Sequence, residues 1–215
     1  MLTGFNQLIN APAGLAPGAD LSHYDVNVDW AAIVAAGINF VYIKISDGIG
    51  TPDLMANKHA TDAKSNGMRI GYYHFCRPKL RGGTVADAAV AEANDTIPLL
   101  GTLPAADLPL VLDLEDQPPW DSPFDPQDYL LWVNTFIATF PEGTDFMIYS
   151  RKEYLDQKLP AGHGLGKYAL WLSRYTNDAD LAACPDGWNN WTIWQFTEGG
   201  IIGTSENLDL NIGDI

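Results

Sequence analysis

Short apolar runs alternate along this chain with segments whose apolar residues recur at helical spacing. The apolar runs predict strands at 19–22, 39–46, 69–75, 108–114, 146–149, 168–172, 191–196 and 208–210. The segments between them predict helices at 29–37, 51–67, 84–100, 125–140 and 152–159, and Thr51 with Pro52 forms a start signal for the second helix. In the first half of the chain a helix follows each strand, whereas the later connections are shorter.

About eight strands that alternate with helices are typical of an α/β protein with a parallel barrel. We therefore predict an irregular (β/α) TIM-like barrel whose helices are short or missing in the C-terminal half. A doubly wound open sheet is the alternative. Proline and glycine at Pro12, Gly14 and Pro17 make the start of the chain loop-like, so we expect an extended segment at 1–17 and one domain at 18–215.

The fourth predicted strand ends in acidic residues, in the run Leu110-Val111-Leu112-Asp113-Leu114-Glu115-Asp116. Because side chains alternate across a strand, Asp113 and Glu115 point the same way, with their Cβ atoms roughly 6 to 7 Å apart. Burial and like charge raise the pKa of one carboxyl in such a pair and leave an acid beside a carboxylate. This arrangement can cleave a glycosidic bond, although strand-end acids also occur as solvated groups or helix caps.

Polar residues end most of the other predicted strands as well. They are Asp20, Ser22, His23 and Tyr24 at the first strand, Lys44, Ser46 and Asp47 at the second, Tyr73 and His74 at the third, Trp194 and Gln195 at the seventh, and Asp209 and Asn211 at the eighth. Each has a structural explanation when taken alone: an acid can bond local amides, and a lone histidine is more often a satisfied core residue than a catalyst. Their convergence at one end of a barrel favours a functional site.

Composition and charge limit the classes of binding partner and cofactor that the chain can have. The 215 residues are 47% hydrophobic and carry a formal net charge of −15, which argues against nucleic acid and anionic membranes as partners. Cys76 and Cys184 form no CxxC pair, and the four histidines have no HExxH spacing, so we expect no metal and no other cofactor. The first residues lack the regions of a signal peptide. Two free thiols are then expected, because disulfides rarely persist in a reducing compartment; one disulfide is the alternative.

Several short blocks along the chain together resemble glycoside hydrolase family 25, the lysozymes of the Chalaropsis type. The resemblance extends from about residue 18 to 211. Its blocks are Asp20-Leu21-Ser22, Asp29-Trp30, Phe40-Val41-Tyr42-Ile43-Lys44, Gly71-Tyr72-Tyr73-His74-Phe75, Asp113-Leu114-Glu115, Ile148-Tyr149-Ser150, Leu170-Trp171, Trp194-Gln195 and Leu208-Asp209-Leu210-Asn211.

The resemblance implies a 1,4-β-N-acetylmuramidase that acts on peptidoglycan without a cofactor. It gives Glu115 the role of general acid and Asp113 that of orienting the 2-acetamido group of the substrate, with Asp20 and Asp209 as two further acids in the pocket. Sugar contacts are expected from Tyr73, His74, Trp194 and Gln195. The chain departs from the family pattern around Tyr24 and Asp47, two further candidates for substrate contact. Retention through the acetamido group is expected, and a direct carboxylate nucleophile such as Asp20 or Asp113 is the competing assignment.

Other classes of function stay open at this point. They are a wall-binding or virion structural module without catalysis, a metal-dependent hydrolase, and a chitinase-like glycosidase. We expect the protein to be a monomer that acts on glycan strands of the cell wall. We also expect it to be made in a host cytoplasm and then released, as a phage endolysin is. A virion-borne or exported enzyme would show the same sequence features.

Overall fold

Eight strands close into a barrel in the computed structural model, which describes residues 4–118 and 121–215. Residues 1–3 of the expected N-terminal segment therefore lie outside the described part. The strands are β1 (Ala16–Leu21), β2 (Phe40–Asp47), β3 (Arg69–Phe75), β4 (Leu110–Asp113), β5 (Phe146–Ser150), β6 (Ala169–Ser173), β7 (Ile193–Ile202) and β8 (Ser205–Gly213). The closed order from β1 to β8 confirms the predicted barrel and excludes the open sheet.

In the described ranges five α-helices cover the outside of the barrel, and the last of them, before β6, has only 7 residues. They are α1 (Trp30–Ala35), α2 (Ala56–Ser65), α3 (Val85–Leu100), α4 (Pro126–Thr139) and α5 (Lys152–Lys158). The connection from β6 to β7 contains only a 3-10 turn at Ala179–Leu181. The prediction of missing helices in the C-terminal half is thus confirmed. None of the helices described is both long and apolar enough to cross a membrane.

The last strand runs against the direction of the other seven. β1 to β7 pair in parallel, whereas β8 is antiparallel to both β7 and β1. The prediction of a parallel barrel is therefore wrong for β8. The physical reason is the connection: only Gly203 and Thr204 separate β7 from β8, which allows a hairpin but no crossover. Gly203 has a φ of 60°, in the left-handed region that tight turns require.

The helix starts follow local capping chemistry at most positions. Thr84 and Asp87 form a capping box at α3, and Asp125 caps α4 ahead of its first-turn proline. The expected start of α2 at Thr51 is wrong, because α2 begins at Ala56. The segment before it is instead held against the barrel, where Pro52 pairs with β2 as an isolated bridge.

Alternation along the strands divides the side chains between two packed regions. The inward-facing positions form an aromatic core inside the barrel that consists of Phe40, Tyr42, Leu108, Val111, Met147, Tyr149, Trp171 and Ile193. The outward-facing positions pack beneath the helices in a second and larger core. Glycine at two inward positions makes room for these rings, since a Cβ on Gly18 or Gly71 would lie 2.1 or 2.2 Å from the ring of Phe40 or Tyr42. Polar residues continue the inward rows where the strands end.

Candidate active site

A cavity of about 350 Å³ opens where the parallel strands end. It is lined by Asp20, Ser22, Tyr24, Lys44, Tyr73, Phe75, Asp113, Glu115, Gln117, Tyr149, Trp171, Tyr175, Gln195, Glu198 and Asp209. All four acids that the sequence singled out, together with Tyr73, Gln195 and Tyr24, therefore lie around one space. This is the end of a barrel at which such folds place their chemistry.

Asp20 is held at the bottom of the cavity by two amide side chains. Its Oδ2 accepts hydrogen bonds from Gln195 Nε2 at 3.0 Å and Asn211 Nδ2 at 2.8 Å. Both amides are oriented in turn, since Tyr149 donates to Gln195 Oε1 and Trp171 Nε1 donates to Asn211 Oδ1, each at 2.8 Å. Burial raises the pKa of Asp20 to about 7, and the two amide donors oppose that rise.

Asp209 faces Asp20 across the ladder between β1 and β8, where the two residues are directly paired. Burial raises the pKa of Asp209, and repulsion from Asp20 adds to the rise. Two carboxyls in this arrangement resist ionising together. The pair therefore retains a proton near neutral pH.

Asp113 is the last residue of β4, and the inward alternation continues past the strand to Glu115. Leu114 between them is fully buried on the other side, and its N–H donates to the carbonyl of Tyr149 at 2.9 Å. Asp113 is 4% exposed, and its Oδ1 is buried without a hydrogen-bond partner among the described residues. Such an acceptor is costly to leave unpaired unless a ligand supplies the donor.

The pKa of Glu115 is raised to about 7, first of all by burial. Asp116 and Asp20 add to the rise, while Lys44 and Arg151 oppose it. Of the two causes named from the sequence, burial and like charge, burial is the larger. A carboxyl with this pKa is protonated in a large fraction of molecules near neutral pH, as a general acid must be.

Burial and the charge of Glu115 also raise the pKa of Asp113 well above its usual value, against the pull of Lys44. Ionisation of Asp113 is therefore disfavoured in the protein by itself. The carboxyl lies deeper in the barrel than sequence alternation can show, and desolvation outweighs the single nearby cation.

Two residues expected to touch sugar point away from the cavity. His74 is fully buried outside the barrel, where Nδ1 meets Ser46 Oγ at 2.8 Å and Nε2 meets Glu92 Oε1 at 3.1 Å. Trp194 is fully buried as well, and its Nε1 donates to the carbonyl of Arg174 at 2.7 Å. The prediction of substrate contact is wrong for both side chains. The physical reason is strand alternation, because the inward positions belong to their neighbours Tyr73 and Gln195.

Asp47 also lies outside the cavity, in a neighbouring groove. Its carboxylate accepts from Arg77 Nη2 at 2.8 Å and lies 3.5 Å from Lys44 Nζ. These cations hold the pKa of Asp47 below its usual value although burial opposes them. The expected direct contact with substrate is not supported by this position.

Sequence reasoning missed six cavity residues: Phe75, Gln117, Tyr149, Trp171, Tyr175 and Glu198. For Tyr149 and Trp171 a signal exists, because counting alternate positions back from the strand ends places both on the inward row. Tyr175 and Glu198 come from irregular segments near the ends of β6 and within β7, where no periodicity indicates a direction. Among the described residues, no group of three histidine, cysteine or acidic side chains could hold a metal ion.

Known proteins resemble this chain over most of its length. The family model described as Glycosyl hydrolases family 25 matches residues 19–204. Lysozyme M1 of Streptomyces globisporus is 28% identical over 201 residues, which cover 90% of this chain and 66% of that protein, slightly less than two thirds of its length. The N,O-diacetylmuramidase of a Chalaropsis species is 26% identical over 203 residues, with 89% and 92% covered. The solved bacterial lysozyme from Streptomyces coelicolor shares the fold, with a TM-score of 0.79 at 24% identity over 95% of this chain and 94% of that one.

Proposed function

The chain belongs to glycosyl hydrolase family 25, and from this membership we propose that it is a lysozyme, a 1,4-β-N-acetylmuramidase. Its substrate is the glycan of peptidoglycan, cut between N-acetylmuramic acid and N-acetylglucosamine. The observation that carries the proposal is the pair formed by a half-buried Glu115, with a pKa of about 7, and a buried Asp113 with an unpartnered oxygen, in one cavity. The names of the two relatives, a lysozyme and a diacetylmuramidase, agree with it.

Glu115 acts as the general acid that protonates the departing glycosidic oxygen. A catalytic acid works best when its pKa lies near the working pH, because it is then both protonated and able to release its proton. Burial is the main cause of this pKa, and the charges of Asp116 and Asp20 add to it. The same carboxylate then takes a proton from water in the second half of the reaction.

Asp113 accepts the N–H of the substrate's 2-acetamido group at Oδ1. That hydrogen bond favours the ionised form of Asp113, so the proton that the coupled pair holds shifts to Glu115. Substrate binding thereby sets both carboxyls in their working states. As the polarised amide oxygen attacks the anomeric carbon, the bond from that carbon to the glycosidic oxygen breaks and Glu115 gives its proton to the departing oxygen. A bicyclic oxazolinium ion remains in the site.

Asp20 and Asp209 shape the floor of the site. The two amide donors fix the Asp20 carboxyl in one orientation, which suits recognition of a sugar hydroxyl better than movement toward an anomeric carbon. Asp20 and Asp113 are nevertheless the competing candidates for a direct carboxylate nucleophile.

Both schemes retain the β configuration at the anomeric carbon. Inversion needs two carboxyls on opposite faces of the sugar, roughly 6.5 to 9.5 Å apart with water between them. Asp113 and Glu115 leave one strand end toward the same cavity, which disfavours that geometry.

Proton NMR of the first-formed product should therefore show the β anomer, and an initial α anomer would exclude both schemes. A substrate with an N-trifluoroacetyl group separates them, since a steep loss of rate indicates acetamido participation and an unchanged rate indicates a carboxylate nucleophile.

One digestion tests the proposed function directly. Purified peptidoglycan is incubated with the parent enzyme or with Glu115→Gln, reduced with borohydride and analysed by mass spectrometry. The parent should generate new reducing ends on N-acetylmuramic acid, and the variant almost none. New ends on N-acetylglucosamine would assign the enzyme to another glycosidase class, whereas binding without new ends would indicate a wall-binding module.

A further inference from the structure

A groove of about 430 Å³ lies beside the catalytic cavity and shares Gln117 with it. Three cations, Arg77, Lys79 and Arg81, line this groove together with Asp47. They are three of only 12 lysines and arginines in a chain of net charge −15. The groove therefore carries excess positive charge next to a cavity that is lined with carboxyls.

The fold holds this basic stretch in place. Glu92 on α3 is fully buried and accepts the backbone N–H of Arg77 at 2.7 Å and Arg81 Nη2 at 3.1 Å. Between these two points, the carbonyl of Pro78 accepts Ser122 Oγ at 2.6 Å. The groove is thus preorganised, which lowers the entropic cost of binding a ligand there.

The three cations differ in how many of their donors are bound by other residues of the protein. Arg77 is bound to Asp47 and Gln117 and stacks on the ring of Phe75 at 4.2 Å. Lys79, by contrast, makes no ion pair or hydrogen bond with any residue in the described ranges, and Arg81 is bound only through Nη2. Unused donors in a groove of net positive charge are suited to a carboxylate or phosphate ligand.

We propose that Lys79 and Arg81 bind a free carboxylate of the stem peptide that the muramic acid of the substrate carries. The inference rests on the proposed function, because the peptide is attached to the sugar at the scissile bond. The main cavity disfavours an anion, because its lining contains four acids: Asp20, Asp113, Glu115 and Asp209. The adjoining groove attracts an anion through its lysine and arginine side chains. The enzyme then prefers glycan that bears charged stems over glycan whose stems are neutral.

The test compares two forms of one substrate. Peptidoglycan freed of teichoic acids by hydrofluoric acid is used with its stem carboxylates intact or after carbodiimide-mediated amidation. For the parent, amidation should raise KM about tenfold at low salt, and high salt should reduce this difference. The double variant Lys79→Gln/Arg81→Gln should cleave both forms with the higher KM and an unchanged kcat. Lys79→Gln alone should raise the KM for the substrate with intact carboxylates about threefold. Because this variant keeps the Arg81–Glu92 pair, its effect cannot come from loss of that pair.

The matched control is Arg69→Gln/Lys167→Gln, which removes the same two charge types from exposed positions at the opposite end of the barrel. It should keep the full preference of the parent. Equal KM values of the parent for the two substrates, or a preference that survives in the Lys79→Gln/Arg81→Gln variant, would overturn the inference while leaving the muramidase intact. A preference seen only on walls that retain teichoic acid would assign the groove to phosphate and also overturn it. Failure of the parent to cleave either form would instead refute the proposed function.

Discussion

Replacing Glu115 with glutamine should abolish catalysis and at the same time stabilise the fold. The substitution keeps the shape of the side chain but removes the transferable proton, so kcat should fall by at least the roughly 10²- to 10⁴-fold that general acid catalysis contributes. Burial raises the pKa of this carboxyl from 4.5 to about 7. At about 1.36 kcal/mol per pKa unit, the ionised carboxylate costs the folded state up to about 3 kcal/mol.

The direction of the pH dependence follows from that shift. A carboxyl whose pKa is higher in the folded state binds its proton more tightly there, so its contribution is most favourable below pH 4.5 and is lost as pH rises through 7. Glu115→Gln removes this loss. Relative to the parent, the variant should therefore gain stability between pH 4 and pH 8, by about 1–2 kcal/mol after partial exposure of the side chain is taken into account.

Urea unfolding of both proteins at pH 4, 6 and 8 measures the effect. Glu142→Gln is the matched control, because Glu142 is exposed in the loop between α4 and β5 and its replacement should give no pH-dependent gain. The parent's kcat/KM should also fall about tenfold for each pH unit above 7. Equal stability differences at pH 4 and pH 8 would refute the burial argument, and wall lysis by Glu115→Gln near the parental rate would refute its catalytic role.

Three further changes test the remaining structural conclusions. His74→Ala should destabilise the protein by about 3 kcal/mol, because it leaves the carboxylate of Glu92 short of a buried partner, and urea unfolding should show this with an unchanged KM for peptidoglycan. Gly71→Ala should lower the melting temperature, since its Cβ would lie 2.2 Å from an interior ring, with a cost of about 1–3 kcal/mol; a neutral result would mean that the inner core tolerates expansion. Cys76 and Cys184 are free in the structure, so a thiol reagent should count both in urea, with the fully buried Cys76 protected before unfolding; a count of zero would reveal a disulfide.

The order of elements and the identity of the central acids could be read from the sequence alone. Apolar runs of strand length and amphipathic segments of helix length repeat because each element must bury one face. The barrel, its weak C-terminal helices and the shared direction of Asp113 and Glu115 follow from this local periodicity. Asp20 and Asp209, which lie far apart in the chain, were recognised as polar strand ends, and the blocks shared with the family gave both a role in the pocket.

Only the tertiary structure decided which face of each strand looks into the barrel and how deeply each group is buried. The resemblance to the family put His74 and Trp194 at the substrate together with their neighbours Tyr73 and Gln195. Adjacent residues of a strand point to opposite faces, and in the closed barrel His74 and Trp194 are the ones that point toward the helices. The direction of β8 depended in the same way on a hairpin that local patterns describe poorly. The pKa values depended on desolvation most of all, and desolvation is set by the atoms that surround a group in space, which neighbours in sequence do not specify.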